Sequence, residues 1–209
     1  MQHTLSERLF DDGDRTGLDP MAIFEEWFAL AKASEPNDPH AMALASAGED
    51  GMPDVRMVLL NARDARGFVF FTNFESAKGQ QLRANPQAAM VMHWKTIRRQ
   101  VRVRGPVEVV QPEEADAYFA SRARGSQIAS AASLQSSPLP SRMALIERVT
   151  DLAAEIGDGA VLRPPHWSGF RILPVSIEFW KDGEFRLHDR VKFVRDAPSA
   201  PWTSQRLYP

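Results

Sequence analysis

The chain has 209 residues, 44% of them hydrophobic and 25% charged, with a formal net charge of −2. That length suits one substantial domain, and the composition excludes an intrinsically disordered chain; with so little net charge, any anion site must be built locally from a few Arg and Lys, and small partners are favoured over polymeric ones. The absence of cysteine excludes disulfides, thiolate metal sites, iron–sulfur clusters and cysteine nucleophiles, and it suits a reducing cytoplasm.

The opening "MQHTLSERLFDDGD" is polar and acidic, without the apolar stretch of a signal segment, and no apolar run approaches the ~20 residues of a membrane span. Residues 1–18 are expected to be a flexible segment ahead of a single domain over 19–209. A helix follows, with Asp19 as N-cap, Pro20 at its first position and Ile23, Phe24, Trp27, Phe28 and Leu30 at helical spacing, ending before Pro36. "AMALASA", "DVRMVLLN" and "FVFFTN", separated by turns at "GEDG" and "DARG", predict antiparallel strands. In "DVRMVLLN", period two sets Arg56 with Val58 and Leu60 on one face and Met57, Leu59 and Asn61 on the other. At ~3.3 Å per residue its polar ends lie some 16 Å apart.

"SAKGQQLRANP" predicts a short helix capped by Ser76, whose free amides together with Lys78 suit a phosphate, although Ser at an N-cap is common for structural reasons alone. Two strands come next, "AAMVMHW" and "RRQVRVRGPVEVV". The second alternates, with Val101, Val103, Val107 and Val109 facing one way and Gln100, Arg102, Arg104 and Glu108 the other. Only Arg102 and Arg104 share a face, and no interleaved aromatics offer a stacking platform, so nucleic acid is set aside as a partner.

"PEEADAYFASRA" and "SRMALIERVTDLAAEI" predict helices around "GSQIASAASLQSS", a segment too rich in Ala and Ser to read as core. In "YFASRARGS", Tyr118 and Arg122 lie four apart on one helix face, with Gly125 closing the helix and Ser126 just beyond. A phenol, a guanidinium and a hydroxyl then converge on one small anion. The competing reading is an exposed Arg on an amphipathic helix, which spacing alone favours by about two to one.

The last third returns to strands: "FRILPVSIEFW", a turn at "KDGE", "FRLHDRVKFVR" and "WTSQRLYP". Within "RLHDR", period two places Arg186, His188 and Arg190 together, opposite Leu187 and Asp189. Such a row needs water or an anionic ligand to receive it, and a charged edge strand accounts for it equally well. The five histidines show no metal-ligand spacing, so no metal site is expected. With no repeats and no dividing linker, the residues predict an α+β fold, a β-meander barrel with peripheral helices.

Eight stretches in this order, "RMVLL", "GFVFFTNFESAKG", "RRQVRVRGPVE", "YFASRARGSQI", "LQSS", "RPPHWSGFR", "IEFW" and "RLHDR", resemble the pyridoxamine 5′-phosphate oxidase family over nearly the whole chain. The resemblance implies an FMN-binding split β-barrel of meander or Greek-key type, a homodimer with flavin between subunits. The implied reaction is oxidation of pyridoxamine or pyridoxine 5′-phosphate to pyridoxal 5′-phosphate, with oxygen reduced to hydrogen peroxide. It implies flavin contacts at Arg56, Met57, Val58, Leu59, Leu60, Phe71, Thr72, Lys78, Gln100, Gln135, Ser136, Trp180 and Arg190. Implied substrate contacts are Asn61, Tyr118, Arg122, Ser126, Arg186, Leu187 and His188, with Arg186 and His188 as the catalytic residues.

The pattern departs at Asn61, where the family usually has a lysine on the substrate phosphate; losing one charge-assisted hydrogen bond costs about 1.5–3 kcal/mol. It departs also at Ala77, in place of an arginine, and at Ala131, in place of a tryptophan. Asn61 keeps a second reading open, a sibling flavin oxidase of another small substrate like the phenazine-biosynthesis members. A third is a flavin or pyridoxal phosphate binding protein without turnover.

Overall fold

The structure, a computed structural model, describes residues 4–11, 13 and 15–209. Helix α2, Pro20–Ser34, starts as its sequence directs: the Asp19 carboxylate accepts from the Met21 N–H at 2.9 Å, and Pro20 occupies the first turn. Its buried face is Ile23, Phe24, Trp27, Phe28 and Ala31, whereas Leu30 turns outward at 41% exposure. Phe24 meets Phe68 edge-on at 4.8 Å and Trp27 meets Phe179 at 5.1 Å, so the helix plugs the barrel interior.

The expectation of a flexible segment over 1–18 needs correction. Helix α1, Leu5–Phe10, carries a capping box between Thr4 and Glu7, and Leu9 and Leu18 are buried in the main core. Ser6 Oγ accepts from Trp27 Nε1 at 2.5 Å and the Ser6 N–H donates to Glu26 Oε2 at 2.9 Å, so apolar anchors and hydrogen bonds together hold a stretch whose polarity hides them. Residues 1–3, 12 and 14 lie outside the described residues.

Among the described residues, ten strands form one curled antiparallel sheet: β1 Ala41–Ala47, β2 Pro53–Leu59, β3 Ala62–Asp64, β4 Gly67–Asn73, β5 Gln87–Trp94, β6 Arg99–Val109, β7 Trp167–Ile172, β8 Ser176–Lys181, β9 Asp189–Val194 and β10 Thr203–Arg206. The main order is β10-β9-β8-β6-β5-β1-β2, and β6 also pairs β7, which pairs β4 and through it β3. β6 changes partner at a bend: Arg99 to Arg104 face β8, and Val107 to Val109 face β7. A Cβ on Gly105 would lie 1.9 Å from the Leu173 carbonyl oxygen, so only glycine lets the chains cross there. That crossing splits the barrel.

Val101, Val103 and Val107 face the core as the alternation predicts, but Val109 is 48% exposed and Val110 is buried instead, packing with Val69 and Ala115 as the strand ends. "FRILPVSIEFW" is two strands, β7 and β8, interrupted around Pro174, which has no N–H for a ladder. The Ala- and Ser-rich segment is also corrected. It forms helix α5, Arg124–Ala132, with Ile128 and Ala132 buried, because alanine is the best helix former and needs little room. Helices α3 (Ala77–Ala84), α4 (Pro112–Ser121) and α6 (Arg142–Ile156) complete the shell.

Candidate active site

A cavity of about 750 Å³ opens between β2, β4, α4 and α5. One face of α5 and its exit lines it with Ser126, Ala129, Ser130 and Ser133, small residues at three- and four-residue spacing. Small side chains on that face leave the volume empty. Two cationic groups enter the cavity beside this face, Arg122 at Ser130 of α5 and Lys78 at Gln135 beyond the helix end.

At the far end, Lys78 enters from the first turn of α3, whose N-cap Ser76 accepts from the Gly79 N–H. Its ammonium is buried and has only neutral acceptors, Gln135 Oε1 at 3.1 Å, Thr72 Oγ1 at 3.3 Å and Ser76 Oγ at 3.4 Å. Desolvation first, then the neighbouring Arg56 charge, holds its pKa below the ordinary lysine value. Arg56 shares the inward row of the fully buried Leu44. It donates to Ser46 Oγ at 2.6 Å, Gln81 Oε1 at 3.0 Å and the Leu44 carbonyl at 3.2 Å, and pairs with Asp54. Two cations thus share one carboxylate.

At the near end the rings of Phe71 (β4), Tyr118 and Trp167 lie parallel in one cluster, Phe71 at 4.2 Å from Tyr118 and 5.2 Å from Trp167, and those two at 6.2 Å from each other. Gly169 makes room: a Cβ there would sit 2.8 Å from the Phe71 ring. Arg122 lies 5.0 Å above the Trp167 ring and donates to Ser130 Oγ at 2.8 Å. Burial lowers its pKa from the ordinary arginine value, with Tyr118 opposing. The expected single helix through Arg122 is corrected. Arg122 is the C-cap of α4 in extended conformation, and Gly125 and Ser126 open α5, so the three donors converge across a corner between helices. Asn61, one residue past Leu60, donates through Nδ2 to the Tyr118 hydroxyl at 2.6 Å, while its Oδ1 accepts from the Phe71 N–H at 3.1 Å.

The cavity gathers Arg56, Met57, Val58, Leu59, Asn61, Phe71, Thr72, Lys78, Tyr118, Arg122, Ser126 and Gln135. Leu60 instead is buried in the core, and Ser136, at φ 71°, lies off the lining. Trp167 and Ser130 carry the near wall without having been singled out as site residues; the clue was the small-residue face of α5, legible in "SQIASAAS".

The other expected residues stand elsewhere. Gln100, Trp180 and Arg190 are lateral neighbours across β6, β8 and β9, on the face opposite the fully buried row Val101, Phe179 and Val191. Arg190 is held by Glu178 at 2.8 and 3.0 Å and by the Tyr208 carbonyl at 2.9 Å. "RLHDR" is not a continuous strand. Glu184–Arg186 is a 3₁₀ turn with Phe185 at φ 55° and Arg186 at φ 66°, and β9 begins only at Asp189. Two successive non-glycine residues in the left-handed region cost of order 1–3 kcal/mol each, so the turn breaks the period-two row and projects Phe185 and Leu187 at 90% and 72% exposure. His188 Nδ1 lies 2.9 Å from Asp182 Oδ1 and its ring 4.7 Å from Trp180.

The FMN implied by the sequence fits the far end. A buried ammonium without its own carboxylate, beside an anchored guanidinium, has the chemistry that suits a phosphate. β2 ends the strand order, so one edge of its backbone N–H and C=O groups is free to meet the amide-like edge of a flavin ring.

Comparison with known proteins agrees. Residues 31–154 match the pyridoxamine 5′-phosphate oxidase family, and residues 167–209 match a pyridoxine 5′-phosphate oxidase C-terminal dimerisation region. A pyridoxine/pyridoxamine 5′-phosphate oxidase of Azorhizobium caulinodans is 60% identical over 94% of this chain and 93% of its own, and one of Caulobacter vibrioides is 59% identical over 91% and 85%. The solved structure of PhzG from Burkholderia lata, in complex with tetrahydrophenazine-1-carboxylic acid, superposes with a TM-score of 0.87 at 31% identity, covering 94% of this chain and 95% of that one. An FMN-binding protein of Nostoc punctiforme, related to pyridoxamine 5′-phosphate oxidase, shares the fold at a TM-score of 0.75 and 16% identity over 93% of this chain and all of its own. With the family matched over more than half its length and relatives near 60% identity over nearly all of it, the chain belongs to the pyridoxamine 5′-phosphate oxidase family.

Proposed function

We propose that the chain is an FMN-dependent oxidase of pyridoxine 5′-phosphate and pyridoxamine 5′-phosphate. Pyridoxine 5′-phosphate and oxygen become pyridoxal 5′-phosphate and hydrogen peroxide; the amine substrate also takes up water and releases ammonia. The observation that carries the reading is one cavity lined by two distinct cationic groups, Arg56 with Lys78 and Arg122 with Tyr118, a set that suits two phosphorylated molecules.

FMN held there would supply the hydride acceptor for the substrate's exocyclic carbon and the route for the electron pair to oxygen. The chain's own residues bind and orient. Lys78 and Arg56 hold the cofactor phosphate. Arg122, Tyr118 and Ser126 hold the substrate phosphate, and Phe71 and Trp167 keep water from the near wall. Arg186, Leu187 and His188 sit on a strained, exposed tip outside this cavity, and Gln100, Trp180 and Arg190 lie on the sheet's other face. A second copy of the chain brings these groups to the first copy's cavity, so the working unit is a homodimer with flavin at the interface. The cysteine-free chain suits the cytoplasm as the compartment.

Incubating FMN-loaded protein with each vitamin phosphate yields pyridoxal 5′-phosphate and peroxide in equal amounts; neither product from either substrate overturns the reading. The second reading, an oxidase of a larger ring acid, draws on the likeness to PhzG. Turnover of a reduced phenazine carboxylic acid in preference to both vitamin phosphates supports it.

A further inference from the structure

Asn61 occupies a position the phosphate clamp depends on, and its hydrogen bonds are fixed by chemistry rather than by choice of amide orientation. A backbone N–H only donates, so the Phe71 N–H at 3.1 Å requires Oδ1 on that side, and Nδ2 must face the Tyr118 hydroxyl at 2.6 Å. An amide NH₂ also only donates. The Tyr118 oxygen therefore accepts, and its own hydrogen is free to point elsewhere. Its ring is clamped parallel to Phe71 at 4.2 Å, and the hydroxyl shares the cavity with Arg122 and Ser126.

We infer that Asn61 is a positioning residue for the substrate phosphate: tied to β4, it fixes the Tyr118 hydroxyl as a donor into the cavity and does not itself ligate the anion. The inference rests on the proposed function and names the part of the site that recognises the phosphate. The Asn61 Oδ1 and one of its two Nδ2 hydrogens are engaged within the chain, so the loss of a lysine charge is partly offset by a phenol that arrives already turned toward its ligand.

The test is a double-mutant cycle on the FMN-loaded dimer, with calorimetric binding of pyridoxal 5′-phosphate and the flavin spectrum as a check on folding. Asn61→Leu weakens binding about tenfold when Tyr118 is present and has no further effect in Tyr118→Phe, because its only route to the anion is gone. An equal loss in both backgrounds, or none in either, overturns the inference.

Asn61→Asp covers the case in which the leucine variant fails to fold. It keeps the Phe71 contact but makes position 61 an acceptor, which turns the phenol around, so its penalty must be larger with Tyr118 than with phenylalanine; equal penalties overturn the inference. If the wild-type protein retains FMN but binds no pyridoxal 5′-phosphate, the vitamin reading fails. The cycle is then read with inorganic phosphate as probe: coupling between positions 61 and 118 sustains the inference, and its absence overturns it.

Discussion

Lys78 is an ammonium withdrawn from water with no carboxylate of its own to meet it. The lowered pKa, caused first by desolvation and then by Arg56, means that the protein without its cofactor carries this proton at a cost. For a lysine depressed on folding, that cost is present at neutral pH and vanishes as pH rises past the lowered value toward the unfolded one. Lys78→Met is therefore expected to raise the melting temperature of the FMN-free protein, measured by calorimetry at pH 7. The same change removes a charge-assisted bond to phosphate, about 1.5–3 kcal/mol, and weakens FMN binding roughly tenfold to a hundredfold. Phosphate binding restores the lysine's affinity for its proton, so wild-type FMN affinity holds steady below the depressed pKa and falls as pH rises above it. Titrating FMN across alkaline pH checks this, and Lys78→Met flattens the dependence. A site residue here opposes stability in order to hold an anion.

At the scale of elements, the placement of α4 depends on Arg171 of β7. Its guanidinium, 2% exposed, meets Asp64 at 2.8 Å and Glu114 at 2.8 Å, with Glu108 at 3.7 Å. One side chain thus ties the last residue of β3, the end of β6 and the first turn of α4, which four residues later carries Tyr118. Arg171→Met leaves Glu108 and Glu114 without this cation while Asp64 keeps Arg66 at 2.9 Å; because the carboxylates are partly exposed, the loss is about 1–3 kcal/mol rather than the full value for a buried pair. The expected outcome is a lower melting temperature together with a raised KM for pyridoxine 5′-phosphate and a smaller change in kcat.

Much of this level was legible in the residues. Asp19 and Ser76 cap helices where their spacing places them, and β1, β2, β4, β5 and β6 follow their apolar runs. The corner at Arg122 and the turn at Phe185 and Arg186 were not, because tertiary contacts override local periodicity there: a helix pattern hides a C-cap, and a strand pattern hides two left-handed residues.

At the scale of the molecule, the expected site residues divide into two sets that one chain does not unite. Arg56, Lys78, Asn61, Tyr118 and Arg122 line the cavity; Gln100, Trp180 and Arg190 lie on the outer face of the sheet, and Arg186 and His188 at its projecting tip. Motifs in one chain cannot say which copy each residue serves, whereas the face on which it lies can. The most direct measurement is complementation between two inactive variants, Arg122→Met and Arg186→Met, co-expressed with different affinity tags and purified as hybrid dimers. A hybrid has one cavity with both substitutions and one with neither. The account predicts that pyridoxine 5′-phosphate oxidation, nearly absent in each parent dimer, returns in the hybrid to half the wild-type rate per dimer. A hybrid no more active than its parents would contradict it.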